Sequence, residues 1–187
     1  MTQGGLRSLR QLGIRETDVL ASCKRRHYHP RMLGRTYDKE VCSAARALEI
    51  AGERWSLLIL RNAAFAGMTR FTDFQKSLDI APNVLAARLL HFVETGIMTT
   101  SGGPEGYQTY HLTKKGLDFK PVIIALTEWG DRWAAPDGPP IVYEHGECGG
   151  RVRHSLYCKR CAESPRPQDV TARKTAVMEK LRRRSRS

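Results

Sequence analysis

No apolar run in this chain approaches the roughly 20 residues needed to cross a bilayer, which excludes a membrane-spanning helix. Lys24-Arg25-Arg26 leads into His27-Tyr28-His29-Pro30 rather than an apolar stretch, so no secretory signal is read and the expected location is the cytoplasm. A phosphate loop, a nucleophile elbow and a dinucleotide fingerprint are all missing, so no enzyme is expected. Cysteine is scarce, five residues in all. In a cytoplasmic protein those thiols stay reduced and available to metal.

Positive charge is abundant. Lys and Arg outnumber Asp and Glu by 31 to 19, a net charge of +12 over 187 residues. The excess sits at the ends. Residues 1–41 hold nine Lys/Arg against four Asp/Glu, and residues 173–187 hold seven against one, which leaves only +1 between them. Basic tails bind phosphates in a salt-dependent, sequence-independent way or merely keep a protein soluble, so specific recognition has to come from residues of the middle. The length accommodates one ordinary domain and an accessory module.

The cysteines are unevenly placed. His145-x-x-Cys148, nine residues, then Cys158-x-x-Cys161 put four zinc-type ligands into 17 positions. Zn²⁺ favours tetrahedral thiolate and imidazole ligation, and two such knuckles can deliver four ligand atoms to one ion. The expectation is a structural Cys₃His site, whose closed sphere leaves no position for catalytic water. Two alternatives stay open: His154 as the fourth ligand, and ordinary reduced thiols or a redox pair with His145 unrelated. Gly149 to Tyr157 reads as a short β-hairpin between the knuckles.

Residues 1–31 lack a sustained period and read as a disordered basic extension, with Met32 a candidate alternative start and Cys23 incidental. Residues 32–135 carry the main domain, 136–170 the zinc-ribbon-like module behind the linker Asp137-Gly138-Pro139-Pro140, and 171–187 a basic disordered tail. Within the main domain, an alanine-rich helix runs from Cys42 to Ala51 and stops at Gly52; Trp55, Leu58, Ile59 and Phe65 mark a second helix, and Phe71, Phe74 and Leu78 a third. Asp79-Ile80-Ala81 is a three-residue turn, Pro82 suits the first position of a fourth helix, and Leu85, Leu89 and Phe92 give it a buried face. The period then changes to two. Ile97–Thr100 and Tyr107–Leu112 read as paired strands around a loop of turn formers. Thr113 caps a last helix with Leu117, Val122, Ile123, Leu126, Trp129 and Trp133 along one stripe, interrupted at Pro121. The fold class is mainly α with small β: a winged helix-turn-helix domain plus a short zinc-ribbon-like β-hairpin.

In a winged helix-turn-helix the second helix enters the major groove. Asn83, Ala86, Ala87 and Arg88 are the candidate groove residues: Asn83 for adenine, Arg88 for guanine or phosphate, and the two alanines for close approach or a thymine methyl. Arg70, at the start of the preceding helix, is a candidate backbone clamp. Each has an ordinary alternative. Arg88 has one as the partner of Glu94 or Asp79, Asn83 as support for the helix start, and the alanines as helix formers.

Over roughly Leu33 to Asp169 the chain resembles the HxlR family of bacterial winged-helix transcription regulators. The resemblance is carried by Cys42, Gly52-Glu53-Arg54-Trp55, Leu57-Leu58-Ile59-Leu60, Arg70-Phe71-Thr72-Asp73-Phe74, Ile80 with Leu85, Arg88-Leu89, Gly96-Ile97, Leu112-Thr113-x-x-Gly116 and Trp129-Gly130, in that order and spacing. Its tail is similar to that of a subgroup in which Pro139-Pro140 precedes a His-x-x-Cys-Gly and Cys-x-x-Cys module.

The resemblance implies a homodimer, packed through an N-terminal helix and the Val122–Trp133 helix, on an inverted-repeat operator; burial of Trp129 and Trp133 inside one protomer is the alternative. It also aligns Cys42 with a cysteine that some members use to sense electrophiles or oxidants, with Arg46 nearby to favour the thiolate; the alternative is a small packing residue. The chain departs from the pattern in one stretch and at two positions. No Lys or Arg lies between Ile97 and Leu112, where many relatives have a basic wing, so wing contact falls to His111, Tyr107 or backbone N–H groups, with Lys114 and Lys115 just beyond. Ala81 stands where relatives often place Ser, a lost cap worth about 1 kcal/mol, and Ser43 where they often have Pro. The expected function is a sequence-specific DNA-binding regulator, more a repressor than an activator, open to a small-molecule effector. The alternative is a zinc-ribbon adaptor that binds protein partners and touches nucleic acid non-specifically through its basic tails.

Overall fold

The computed structural model describes Tyr37, residues 42–103 and residues 106–184. The extension 1–31, Cys23, the start at Met32 and the wing-loop residue Glu105 lie outside the described residues. The described part is mainly helical with one small antiparallel sheet, an arrangement that fits a winged helix-turn-helix.

Four helices come first: α1 (Ser43–Ala51), α2 (Ser56–Phe65), α3 (Phe71–Leu78) and α4 (Pro82–Glu94). Cys42 is the N-cap of α1, and the Gly52 N–H closes its end on the Leu48 carbonyl at 2.7 Å. The turn from α3 to α4 is the anticipated Asp79-Ile80-Ala81. Asp79 takes the left-handed conformation, φ 47°, that a short polar residue tolerates, and Ile80 drops into the core. Pro82 opens α4, where its missing N–H removes no helical bond. Leu85, Leu89 and Phe92 are fully buried against Ile59, Leu60 and Phe74, so the spacing of three and four on α4 and its neighbours builds one contiguous core. Asn62, buried on α2, donates from Nδ2 to Ser77 Oγ on α3 at 3.0 Å and accepts from Arg61 at Oδ1.

The wing is β1 (Met98–Gly102) and β2 (Gln108–Leu112), in register from Met98 opposite Leu112 to Gly102 opposite Gln108. Both strands start one residue later than the alternation suggested. Thr113 then caps α5 (Lys114–Leu117) by accepting from the Gly116 N–H at 3.3 Å and donating to the Gly96 carbonyl at 2.7 Å. Gly116 is required here, since a Cβ would meet the Ile97 carbonyl oxygen at 2.4 Å. The single interrupted helix expected after Thr113 is two helices. The chain breaks at Asp118-Phe119, and Pro121 sits in the first turn of α6 (Lys120–Trp133), where proline is tolerated. A 3-10 turn (Pro167–Asp169) follows the cysteine-rich segment, and within the tail read as disordered over 171–187 the described residues form a helix, α7 (Ala176–Arg184).

Candidate nucleic-acid interface and cysteine-histidine module

The four positions singled out on α4 separate. Asn83 is exposed in the first turn and Ala87 is half-buried one turn on. Ala86 is only 2% exposed, which corrects its assignment as a groove residue: it lies one turn before the buried Leu89 and is closed to solvent. Arg88 is engaged within the protomer. Its side chain is 11% exposed, and its guanidinium is paired at 3.0 Å with the Glu53 carboxylate from the segment between α1 and α2. The flank of α4 that carries Arg88 therefore faces protein, and neither Glu94 nor Asp79 is the partner. Sequence reasoning missed Glu53 as the partner. The available signal was that Glu53 and Arg88 both fall in the short motifs that carried the family resemblance.

Arg70 is exposed at the N-cap of α3, and its guanidinium carbon lies 4.3 Å from the centre of the Tyr107 ring at the end of the wing loop. One guanidinium N–H also donates to the Tyr107 hydroxyl oxygen. The two segments are stitched by backbone as well, through a bridge between Arg70 and Thr109 and a 2.8 Å bond from the Tyr110 N–H to the Thr69 carbonyl. A wing without a cation of its own thus acquires one from the helix-turn-helix. In the wing, the buried Thr109 hydroxyl lies 2.8 Å from Ser101 Oγ and 3.0 Å from His111 Nε2. Lys114 is exposed and pairs with Asp118 at 2.9 Å, a solvated pair that screens readily. Lys115 donates from Nζ to the Thr95 carbonyl at 2.7 Å and so spans from α5 to the end of α4.

On α6, Ile123 is buried, while Val122, Leu126, Trp129 and Trp133 are exposed at 49%, 48%, 62% and 69%. The two tryptophans are not buried inside the protomer. Leu48 on α1 is also exposed. Cys42 is exposed, and Arg46, expected to attend it, pairs with Glu49 at 3.1 Å.

The hairpin expected between Gly149 and Tyr157 is not formed, and residues 153–157 carry no strand. A hairpin forms instead around the first knuckle: Glu144 bridges Arg151, and the Val152 N–H reaches the Tyr143 carbonyl at 2.7 Å. The glycines close this knuckle rather than a loop beyond it. The His145 N–H bonds the Gly150 carbonyl at 2.8 Å, the Gly149 N–H bonds the His145 carbonyl at 2.8 Å, and Gly149 has φ +67°. The second knuckle repeats this bond for bond. The Cys158 N–H bonds the Glu163 carbonyl at 2.9 Å, the Ala162 N–H bonds the Cys158 carbonyl at 2.9 Å, and Ala162 has φ +58°. A left-handed alanine costs about 1 kcal/mol or more, so this turn is held against the residue's own preference.

His145 Nδ1 lies 3.3 Å from Cys148 Sγ. The Cys158 thiol is held below its usual range by hydrogen bonds to its sulfur, first from the backbone of Cys161, then from the backbone of Arg160 and from the Cys161 side chain. The four side chains lie as two pairs, and among the described residues no group of three or more His, Cys, Asp or Glu is arranged to hold an ion. The module is anchored to the domain by Tyr143, buried with its ring centre 4.3 Å from that of Phe65 and its hydroxyl 3.1 Å from Thr127 Oγ1 on α6. The His154 N–H adds a 3.2 Å bond to the Glu128 carboxylate.

Residues 50–138 match the model of the HxlR-like helix-turn-helix family. The chain is 41% identical over 133 residues to Rv3095 of Mycobacterium tuberculosis, named an uncharacterized HTH-type transcriptional regulator, covering 69% of this chain and 83% of that one. Among solved structures it is similar to PA1607, described as a proposed transcription factor, with 34% identity, a TM-score of 0.67, and coverage of 75% of this chain and all of the other. It is also similar to PA1374 of Pseudomonas aeruginosa, likewise described as a proposed transcription factor, with 35% identity, a TM-score of 0.53, and coverage of 76% and 99%. No helix among the described residues is long and apolar enough to cross a membrane.

Proposed function

Because the chain belongs to the HxlR-like helix-turn-helix family, we propose that it is a transcriptional regulator that binds double-stranded DNA through α3, α4 and the wing. The observation that carries this reading is the composite cation of the wing: Arg70 leaves the start of α3 and stacks on Tyr107, so an exposed guanidinium stands at the junction of the two elements that flank a groove. Asn83, exposed in the first turn of α4, is positioned to read a base edge, with Ala87 permitting close approach behind it. Arg70 and Lys114 serve the phosphates.

The functional unit is a homodimer formed through α6 and α1. Val122, Leu126, Trp129 and Trp133 form an apolar stripe that solvent does not favour and that a second copy of the same helix covers. Two recognition helices then address an inverted repeat with half-sites about 34 Å apart. The mode of action is repression by occupying an operator in the cytoplasm, and the protein is a binding protein without catalytic chemistry. Effector input falls to the exposed thiol of Cys42 or to a cleft between protomers.

The test is anisotropy titration of the full chain on its own upstream intergenic DNA and on a scrambled duplex at near-physiological salt. A regulator prefers the native fragment by about 10³-fold or more, and Asn83→Ala reduces that ratio. Equal binding to both duplexes, lost uniformly as salt rises, identifies the tail-driven adaptor instead.

A further inference from the structure

We propose that the two knuckles are the halves of a single structural zinc site, with His145, Cys148, Cys158 and Cys161 as its four ligands. Three observations carry this beyond the ligand spacing.

First, the knuckles have the same backbone geometry. In each, the first ligand's N–H is bonded to the carbonyl five residues on, its carbonyl accepts from the residue four on, and that residue lies at positive φ. Such a turn directs both ligand side chains to one side. At Gly149 the conformation is free, whereas at Ala162 it is disfavoured, so the second turn has a reason to exist beyond its own residue preferences. At Gly150 an added Cβ would come within 3.3 Å of Cys148 Sγ, so the backbone passes close behind that sulfur.

Second, a redox function accounts for only one of the two turns. Cys158 and Cys161 alone have the makings of a dithiol couple, but the matching turn has imidazole in the first position, and His145 with Cys148 cannot form a disulfide. Imidazole and thiolate are interchangeable as zinc ligands. A shared ion therefore explains both turns with one chemistry, and four protein ligands leave no open position, so the role is structural.

Third, the charges and the chain permit closure. A site of three thiolates, one neutral imidazole and Zn²⁺ carries −1. Residues 144–163 offset it, with Arg151, Arg153, Lys159 and Arg160 against Glu144, Glu147 and Glu163. The first knuckle is fixed to the domain by Tyr143. Among the described residues the two pairs do not meet, and residues 153–157 between them form no strand, so closing the site is a rearrangement of that segment about the His154–Glu128 bond on ion binding. Coupling of local folding to ligation is the ordinary behaviour of small zinc modules.

The test uses the full chain purified under reducing conditions without added chelator, first for metal content and then, after metal removal, for Co²⁺ titration followed by displacement with Zn²⁺. The expected result is one zinc per chain, and one equivalent of cobalt with the d–d bands of tetrahedral geometry and thiolate charge transfer, both abolished by zinc. Cys158→Ser lowers the charge-transfer band and weakens zinc binding by more than the roughly 10- to 100-fold of an outer-shell change. His145→Cys raises the band, and Cys42→Ser leaves it unaltered. Substoichiometric metal, an octahedral cobalt spectrum, or a Cys158–Cys161 disulfide in freshly extracted protein overturns the proposal. So does a spectrum indifferent to His145→Ala but altered by His154→Ala, because the ligand set would be wrong. If a variant fails to fold, the cobalt spectrum and zinc displacement of the unsubstituted chain still decide the matter. None of these readouts depends on DNA.

Discussion

Replacing Arg88 tests whether it reads DNA or braces the domain. Its guanidinium is 3.0 Å from the Glu53 carboxylate, with side-chain exposures of 11% and 34%. At an effective dielectric near 20 the attraction is roughly 5 kcal/mol before desolvation. Removing one partner of a fully buried pair costs about 3–5 kcal/mol; Glu53 retains water over a third of its surface, which reduces the expected loss to about 1–3 kcal/mol. Arg88→Met keeps the aliphatic stem, and Glu53→Gln keeps the shape of the carboxylate. A cycle of the two singles and the double, measured by urea unfolding, should give a coupling energy of about 1–2 kcal/mol. Each single should lower the melting temperature by at least about 4 °C, given the 4–8 °C per kcal/mol of a domain of this size. If Arg88 instead reads a base, Arg88→Met leaves stability unchanged and removes DNA preference. A coupling energy below about 0.3 kcal/mol with Tm intact would refute the bracing role.

Arg70→Ala should weaken binding to specific and scrambled duplexes alike and reduce the slope of log K against log salt by about 0.9, read from anisotropy titrations; an unchanged slope would remove Arg70 from the phosphate contacts. The double substitution Trp129→Ser and Trp133→Ser, both on an exposed stripe, should leave the melting profile of the protomer nearly intact while converting the dimer to monomer in sedimentation velocity. Retention of the dimer would place the interface elsewhere. Thr113→Ala removes a cap that accepts from the Gly116 N–H and donates to the Gly96 carbonyl, so it should destabilise the domain by about 1 kcal/mol in denaturant titration. Ala162→Gly relieves a positive φ and should leave or slightly raise metal affinity, measured by competition with a chromophoric chelator.

What was legible in the sequence was local. The Asp79-Ile80-Ala81 turn, the proline at the start of α4 and the Leu85, Leu89, Phe92 face are written within a dozen residues by period and turn chemistry, and the structure keeps them. Errors arose where a side chain's fate depended on a distant segment. Spacing offers Glu94 or Asp79 to Arg88 because Glu53 is far away along the chain, and Arg70 cannot be linked to Tyr107, 37 positions on, from either neighbourhood alone. Ala86 was misplaced for another reason. Its distance of three from the buried Leu89 favours the packed face, but alanine is small enough to suit either face, and its chemistry gives no warning. The glycine pair after Cys148 suits a turn between strands, but the positive φ of Gly149 instead closes the knuckle to which it belongs.

The stitching of β2 to the segment before α3 has a mechanical consequence. The Tyr110 N–H is held by Thr69, Thr109 is bridged to Arg70, and the Arg70 side chain stacks on the wing, so among the described residues three contacts tie the hairpin to the helix-turn-helix. A freely pivoting wing could follow whatever groove width it met. In the proposed mode of binding a wing tied in this way holds its span from α4, which leaves the duplex as the compliant partner: sequences that bend or narrow cheaply to that span should gain affinity at base pairs the protein never touches.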